Sequence, residues 1–516
     1  MADAAEQAGR VYLVGAGPGD PGLLTLRGLE CLRRADVVLY DYLVNPVLVR
    51  HSRADAERIC LGRHGRSRQW TQDEIQNEMV RHARAGRIVV RLKGGDPAVF
   101  GRVAEECAAL RAAGIPFEIV PGITAALAAG SFAGIPITHR EVASAVALVT
   151  GQEDADKEES SLDYAALARF PGTLVVYMGV TTVARWSAQL LAAGKPADTP
   201  VALVRRCSLP DQQMVRCTLG TVAQHLTPAS KLRPPVIVIV GPVVDMADQL
   251  AWFDRRPLWG TSVLVSRPVD QADELADPLR ERGAEVWVQP AITIGPPDDW
   301  TPVDGAIERM ARRAGRGAPE FDWLVFSSGN GVRYFLDRIA ARGHDLRILG
   351  GAKLAVIGPG TAAALADYRL QADLQPPEYR AESLAEVLAA PAQGKRCLLL
   401  RASRGRDVLP ARLAQSAAYV EQVVVYASRD AAVADEEVRD RMRRGDIDWV
   451  AVTSSAIARS LATLFGDDLR RCRLVSISPL TSETLREQGF APAAEAVEYT
   501  TDGLIAALEE AVARPA

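Results

Sequence analysis

Val11-Tyr12-Leu13-Val14-Gly15-Ala16-Gly17-Pro18-Gly19-Asp20-Pro21-Gly22 places a glycine-rich turn directly after a short apolar strand. A ligand can press against bare backbone there, because glycine allows positive φ and close approach while Pro18 stiffens the loop and removes one amide donor. A dinucleotide loop would continue Gly-x-Gly-x-x-Gly into a helix, with a ribose-binding acid about 20 residues on. Gly15 and Gly17 fit, and Asp41 closes a second strand-like run, Asp36 to Asp41. The third glycine position is Asp20, however, and a carboxylate beside a pyrophosphate repels it. The turn therefore argues for an α/β unit that binds something other than a nicotinamide dinucleotide.

Strand-like runs alternate with alanine- and leucine-rich helical stretches along the whole chain, the pattern of α/β layers with largely parallel sheets. At 516 residues the chain exceeds one ordinary core. The first unit closes near the buried strand Pro234 to Gly241, and the aromatic, charged and proline-containing run Gln249 to Gly260 marks the main boundary. Glu153 to Ser161 has almost no apolar content and reads as a mobile loop.

The second half repeats itself. Asp322-Trp323-Leu324-Val325-Phe326-Ser327-Ser328 echoes Asp448-Trp449-Val450-Ala451-Val452-Thr453-Ser454-Ser455, and Lys353 to Thr361 echoes Arg473 to Thr481. Ser262 to Arg267 likewise pairs with Arg396 to Arg401. Two similar lobes with a ligand in the cleft between them follow. Each copy ends a strand in small hydroxyl residues before a helix; these serve as N-caps, or as an anion site for a ligand rich in carboxylates.

Composition sets limits. The net charge of −4 gives no global attraction for nucleic acid, so a polyanion would need local arginines such as the group Arg63, His64, Arg66 and Arg68 beside Trp70, which reads equally well as a solvated loop. No run approaches the ~20 apolar residues of a membrane span, and no export leader opens the chain, so a cytoplasmic location is expected. The seven cysteines, Cys31, Cys60, Cys107, Cys207, Cys217, Cys397 and Cys472, are scattered and read as reduced thiols, with no metal site.

Three further motifs make the first half specific: Arg91-Leu92-Lys93-Gly94-Gly95-Asp96-Pro97-Ala98-Val99-Phe100-Gly101-Arg102, Pro121-Gly122-Ile123-Thr124-Ala125-Ala126, and Gly134 to Arg140. With Gly15 to Asp20 and Val175 to Gly179, residues 10–255 resemble the uroporphyrinogen-III C-methyltransferases of the tetrapyrrole methylase family. The resemblance implies a two-lobed α/β fold and transfer of two methyl groups from S-adenosyl-L-methionine to uroporphyrinogen III. The products would be precorrin-2, on the route to sirohaem and cobalamin, and S-adenosyl-L-homocysteine. It implies cofactor contacts at Pro18, Gly94, Gly95, Asp96, Val99, Thr124, Ala125, Met178 and Cys207, with Asp41 as proton acceptor and a homodimer. Where the family has a lysine as proton donor, this chain has Arg63, which cannot give up a proton near neutrality and is expected to bind a substrate carboxylate or steady Asp41.

Residues 260–512 resemble uroporphyrinogen-III synthase, through Ser266-Arg267-Pro268, Phe326 to Val332, Ile357 to Ala362, Leu400-Arg401-Ala402 and Val425-Tyr426. The resemblance implies cyclisation of hydroxymethylbilane without a cofactor, in a lobe of 260–294 plus 430–512 and a lobe of 295–428. Tyr426 is the expected proton donor, with Thr361 in the same cleft, and Ser327, Ser328, Thr453 and Ser454 are expected on substrate carboxylates. Ser478 stands where the family more usually has glycine. Two rivals remain: a periplasmic-type binding protein fused to a regulatory methylase, and a methylase of another corrin intermediate carrying a non-catalytic two-lobed binding domain.

Overall fold

The computed structural model describes residues 9–62, 70–153, 160–227, 230, 232–315, 317–405, 407–416 and 419–514. Internal contacts divide the chain into Met1–Gly260 and Thr261–Ala516. Of the acidic stretch read as mobile, 154–159 lie outside the described residues, as does the basic group at 63–68.

The first unit holds two five-stranded sheets. Strands β1 (Arg10–Gly15), β2 (Val37–Tyr40), β3 (Glu57–Cys60), β4 (Ile88–Lys93) and β5 (Phe117–Val120) form a wholly parallel sheet in the order β3-β2-β4-β1-β5. Its central strands are apolar on both faces because helices cover both: Val11, Leu13, Val89 and Met79 pack on one side, and Tyr12, Val14, Val90 and Leu32 on the other. All five strands run the same way, so the turns after Gly15, Tyr40, Lys93 and Val120 gather at one edge.

The second sheet departs from the parallel expectation. Strands β6 (Val146–Thr150), β7 (Thr173–Tyr177), β8 (Pro200–Arg205), β9 (Gln213–Thr218) and β10 (Val236–Val240) lie in the order β6-β7-β10-β8-β9, and only β6 and β7 are a parallel pair. Connection length explains it: residues 206–212 carry no helix, so β8 and β9 form a hairpin, and β10 is inserted antiparallel to both of its neighbours.

The second unit also holds two sheets. One is parallel, in the order β12-β11-β18-β19-β20, from β11 (Ser262–Val265), β12 (Glu285–Val288), β18 (Trp449–Val452), β19 (Arg473–Ser476) and β20 (Ala494–Glu495). The other runs β13-β17-β16-β14-β15, from β13 (Ile292–Gly295), β14 (Trp323–Phe326), β15 (Lys353–Val356), β16 (Arg396–Ala402) and β17 (Tyr419–Asp430), with only β13 antiparallel. The expected lobe limit at 294 falls inside β13, which belongs to the second of these sheets. The crossing lies just before it, where Ala431 N–H donates to Ala291 O at 2.8 Å.

The sequence repeat is a repeat of bonds. Asp448 accepts from Ser262 N at 2.7 Å and Asp322 from Arg396 N at 2.9 Å, each carboxylate fixing the start of the neighbouring strand. An echo the motif reading passed over extends it: Glu378-Tyr379 and Glu498-Tyr499 precede helices Ala381–Ala389 and Thr501–Ala513, and each glutamate carbonyl accepts the amide two residues on at 2.8 Å.

Candidate active sites

In the first unit three glycines form a seam of backbone on backbone. A Cβ added at Gly122 would fall 2.3 Å from Gly95 O and 2.7 Å from Gly15 Cα, and one at Gly15 would fall 2.6 Å from Gly122 N. Gly17 and Gly95 exchange two amide bonds, at 3.2 and 2.7 Å, which ties the loop carrying Pro18 to Gly94, Gly95 and Asp96. Asp96 accepts from Ala98 N at 2.7 Å and from Gly122 N at 2.9 Å, so its carboxylate pins the third loop. Val99 follows in the same turn, half-buried.

The second sheet closes on this seam. Tyr177, at the end of β7, meets Thr124 Oγ1 at 2.6 Å and accepts from Ala126 N at 2.8 Å. Met178 follows at φ +53°, exposed. The Cys207 thiol points at Ala125 O at 3.8 Å, and burial pushes its pKa up to about 12, so it presents a neutral wall rather than a nucleophile. Asp20 Oδ1 accepts from Gly22 N at 2.8 Å, which gives the aspartate in the anomalous third position a structural task as a cap, and its amide donates to Ser208 Oγ at 3.1 Å.

Asp41 lies beside the seam: its amide donates to Leu92 O at 3.2 Å, and a Cβ at Gly94 would touch Leu43 Cβ at 3.5 Å. Arg63 lies outside the described residues; the cation that holds Asp41 is Arg91, at 2.6 Å. Arg91 in turn reaches Glu106 Oε1 at 3.2 Å and Lys93 reaches the same oxygen at 2.8 Å, all three side chains being almost wholly buried. Burial first, and then the Arg91 charge, lowers the Lys93 pKa. Sequence reading missed this network. Its signal was two cations at alternate positions of the otherwise apolar β4, which share one face and need a buried anion.

In the second unit the hydroxyl turns are helix caps. Ser328 accepts from Gly331 N at 3.1 Å and Ser454 from Ile457 N at 3.2 Å. The first has a phenol beside it: Tyr426 OH lies 3.0 Å from Ser328 Oγ, and Tyr334 stacks on Tyr426 with ring centroids 5.8 Å apart. Burial raises the Tyr426 pKa above its ordinary value. Ser327 reaches Leu400 O at 3.5 Å, and Thr453 is half-buried before Ser454, on the other sheet. Thr361 is buried next to Gly360, whose carbonyl would lie 3.4 Å from a Cβ on Gly329. Ser478 takes over as N-cap where glycine was expected, accepting from Thr481 N at 3.4 Å. Gln271 Nε2 donates to Asn330 Oδ1 at 2.8 Å, which shows the strand ends of the two lobes facing one another there.

The model of tetrapyrrole (corrin/porphyrin) methylases matches residues 10–223, and that of uroporphyrinogen-III synthase HemD matches 273–506. A porphyrin biosynthesis protein HemD from Ruminiclostridium josui is 32% identical over 481 residues, 93% of this chain and 94% of that protein. The chain belongs to the family that fuses a tetrapyrrole methylase to a uroporphyrinogen-III synthase. Siroheme synthase 1 of Yersinia enterocolitica is 48% identical over 249 residues, 48% of this chain and 52% of that protein, so this chain matches about half the length of that relative. A solved uroporphyrin-III C-methyl transferase from Thermus thermophilus, complexed with S-adenyl homocysteine, is 42% identical, with 46% of this chain and 99% of that one covered and a TM-score of 0.40. The glycine seam thus lies in the methylase unit and the Ser328–Tyr426 pair in the synthase unit of one bifunctional enzyme of tetrapyrrole biosynthesis. Among the described residues no cluster of His, Cys, Asp and Glu could hold a metal, and no helix is long and apolar enough to cross a membrane.

Proposed function

We propose that the synthase unit closes hydroxymethylbilane to uroporphyrinogen III and that the methylase unit converts this product to precorrin-2 with two molecules of S-adenosyl-L-methionine. The observation that carries the reading is the presence of both units in one chain, the second making what the first consumes. The seam fits the cofactor chemically: Gly94 and Gly95 offer bare backbone, Cys207 a neutral surface and Met178 an exposed thioether arm.

When bound, that cofactor supplies an electrophilic methyl with its leaving group already attached. The protein has then to align and to handle one proton. Gly94, Gly95, Asp96, Val99, Thr124, Ala125 and Pro18 hold the donor, and alignment of this kind is worth about 7–11 kcal/mol. Asp41, oriented by Arg91, accepts the proton that the macrocycle loses after methylation. Arg63 binds a substrate carboxylate.

In the synthase unit Tyr426, steadied by Ser328, donates a proton as the electron-rich pyrrole breaks the terminal C–O bond, so that water departs and leaves an electrophilic azafulvenium ion beside the phenolate. Ser327, Ser328, Thr453 and Ser454 hold substrate carboxylates, and Thr361 lines the same cleft. The partners are small molecules. A homodimer through the methylase unit has support in Val146 and Leu148, exposed apolar side chains at alternate positions of edge strand β6. A cytoplasmic location agrees with the seven unpaired cysteines. Supplying uroporphyrinogen III and S-adenosyl-L-methionine tests the methylase assignment: the account expects a product heavier by two methyl groups, and an unchanged substrate contradicts it.

A further inference from the structure

Thr124 is the N-cap of helix Ala125–Ala133, yet its side chain accepts no bond from that helix. Tyr177 does this work from the other sheet, taking the Ala126 N–H at 2.8 Å. Its own proton is then free to go to the neighbour it meets at 2.6 Å, Thr124 Oγ1, a contact in which either hydroxyl can be the donor. With the phenol as donor, Thr124 keeps its own O–H to give, and Tyr177 is its one side-chain partner among the described residues, although the side chain is buried. An unspent buried donor is costly unless a ligand uses it. Gly95 lies alongside: a Cβ there would fall 3.9 Å from both Thr124 Cα and Ala125 N.

The phenol is itself held with care. Phe100 packs on the Tyr177 ring with centroids 4.9 Å apart, and Phe100 and Met178 both adopt φ +53°, a left-handed conformation that side chains larger than glycine rarely keep without cause. Burial raises the Tyr177 pKa, which keeps its proton available.

We infer that Tyr177 is a positioning residue of the methylase site: its hydroxyl turns Thr124 into a hydrogen-bond donor for the methyl-donor cofactor and couples β7, which carries Met178, to the helix beginning at Ala125. The inference rests on the proposed cofactor site. The acceptor on the ligand is one that S-adenosyl-L-homocysteine shares, so that molecule is the probe.

Calorimetric titration of the full chain with S-adenosyl-L-homocysteine tests it, using wild type, Tyr177→Phe, Thr124→Val, the double variant and Thr124→Ser. Each single variant should weaken binding about five- to tenfold, the double variant should be no weaker than the weaker single, and Thr124→Ser should bind as wild type does. An unchanged melting temperature of the methylase unit in each variant reports that this unit still folds. Wild-type affinity in Tyr177→Phe, or losses that multiply in the double variant, would overturn the inference and leave the cofactor site standing. Absence of binding by the wild type would overturn both.

Discussion

The methylase and synthase units build their sites from opposite materials. In the methylase unit three loops meet through main chain, at Gly15, Gly95 and Gly122, with no room for a single added carbon at Gly15 or Gly122. In the synthase unit the corresponding turns are serine-capped helix starts, where Ser328, Ser454 and Ser478 each satisfy an amide of their own helix. Backbone seams fail all at once, because a Cβ aimed at a carbonyl has nowhere to go; capping hydroxyls fail by degrees, since each contributes about 1 kcal/mol.

The largest effect is therefore expected at Gly122→Val. Its side chain would collide with Gly95 O and Gly15 Cα, and methyl transfer should fall by about a hundredfold or more while formation of uroporphyrinogen III continues. Equal loss of both activities would break the contrast between the units. Next is Asp41→Asn, which keeps the shape but not the base: kcat of methylation should drop about a hundredfold, with S-adenosyl-L-homocysteine affinity preserved.

Tyr426→Phe sharpens the synthase side. It should lower turnover of hydroxymethylbilane about ten- to a hundredfold without touching methylation of supplied uroporphyrinogen III. The raised pKa adds a pH signature. A phenol whose folded pKa lies above its unfolded value stays protonated through neutrality, and what its protonated form contributes to stability is lost only as pH rises through that raised pKa. Synthase activity should accordingly show no alkaline loss from this group below about pH 10; a fall centred near pH 8 that vanishes in Tyr426→Phe would contradict the assignment. The smallest effect is Ser454→Ala, which removes one cap and should lower the synthase unit's melting temperature by about 2–4 °C.

Much of this was legible in the sequence because it is written in local runs. Gly15 to Asp20, Arg91 to Arg102 and Pro121 to Ala126 each sit directly after a strand, so their convergence follows once those strands are parallel neighbours. The Asp322 and Asp448 echo was equally readable, and its two carboxylates prove to make matching bonds. What escaped is what depends on partners far apart in the chain. Nothing around Tyr177 announces that its hydroxyl caps a helix 51 residues earlier. Glu106 looks like any acid in a first helical turn until Arg91 and Lys93 converge on it. The antiparallel β10 was hidden because a buried strand reads as a continuous apolar run whichever way its neighbours point.

The most direct measurement is to give the purified chain hydroxymethylbilane, with and without S-adenosyl-L-methionine, and identify the tetrapyrrole formed. The account predicts the type III ring, its last pyrrole inverted, in the absence of the methyl donor, and precorrin-2 in its presence. An unrearranged ring in the first case, or a product carrying no added methyl group in the second, would contradict it.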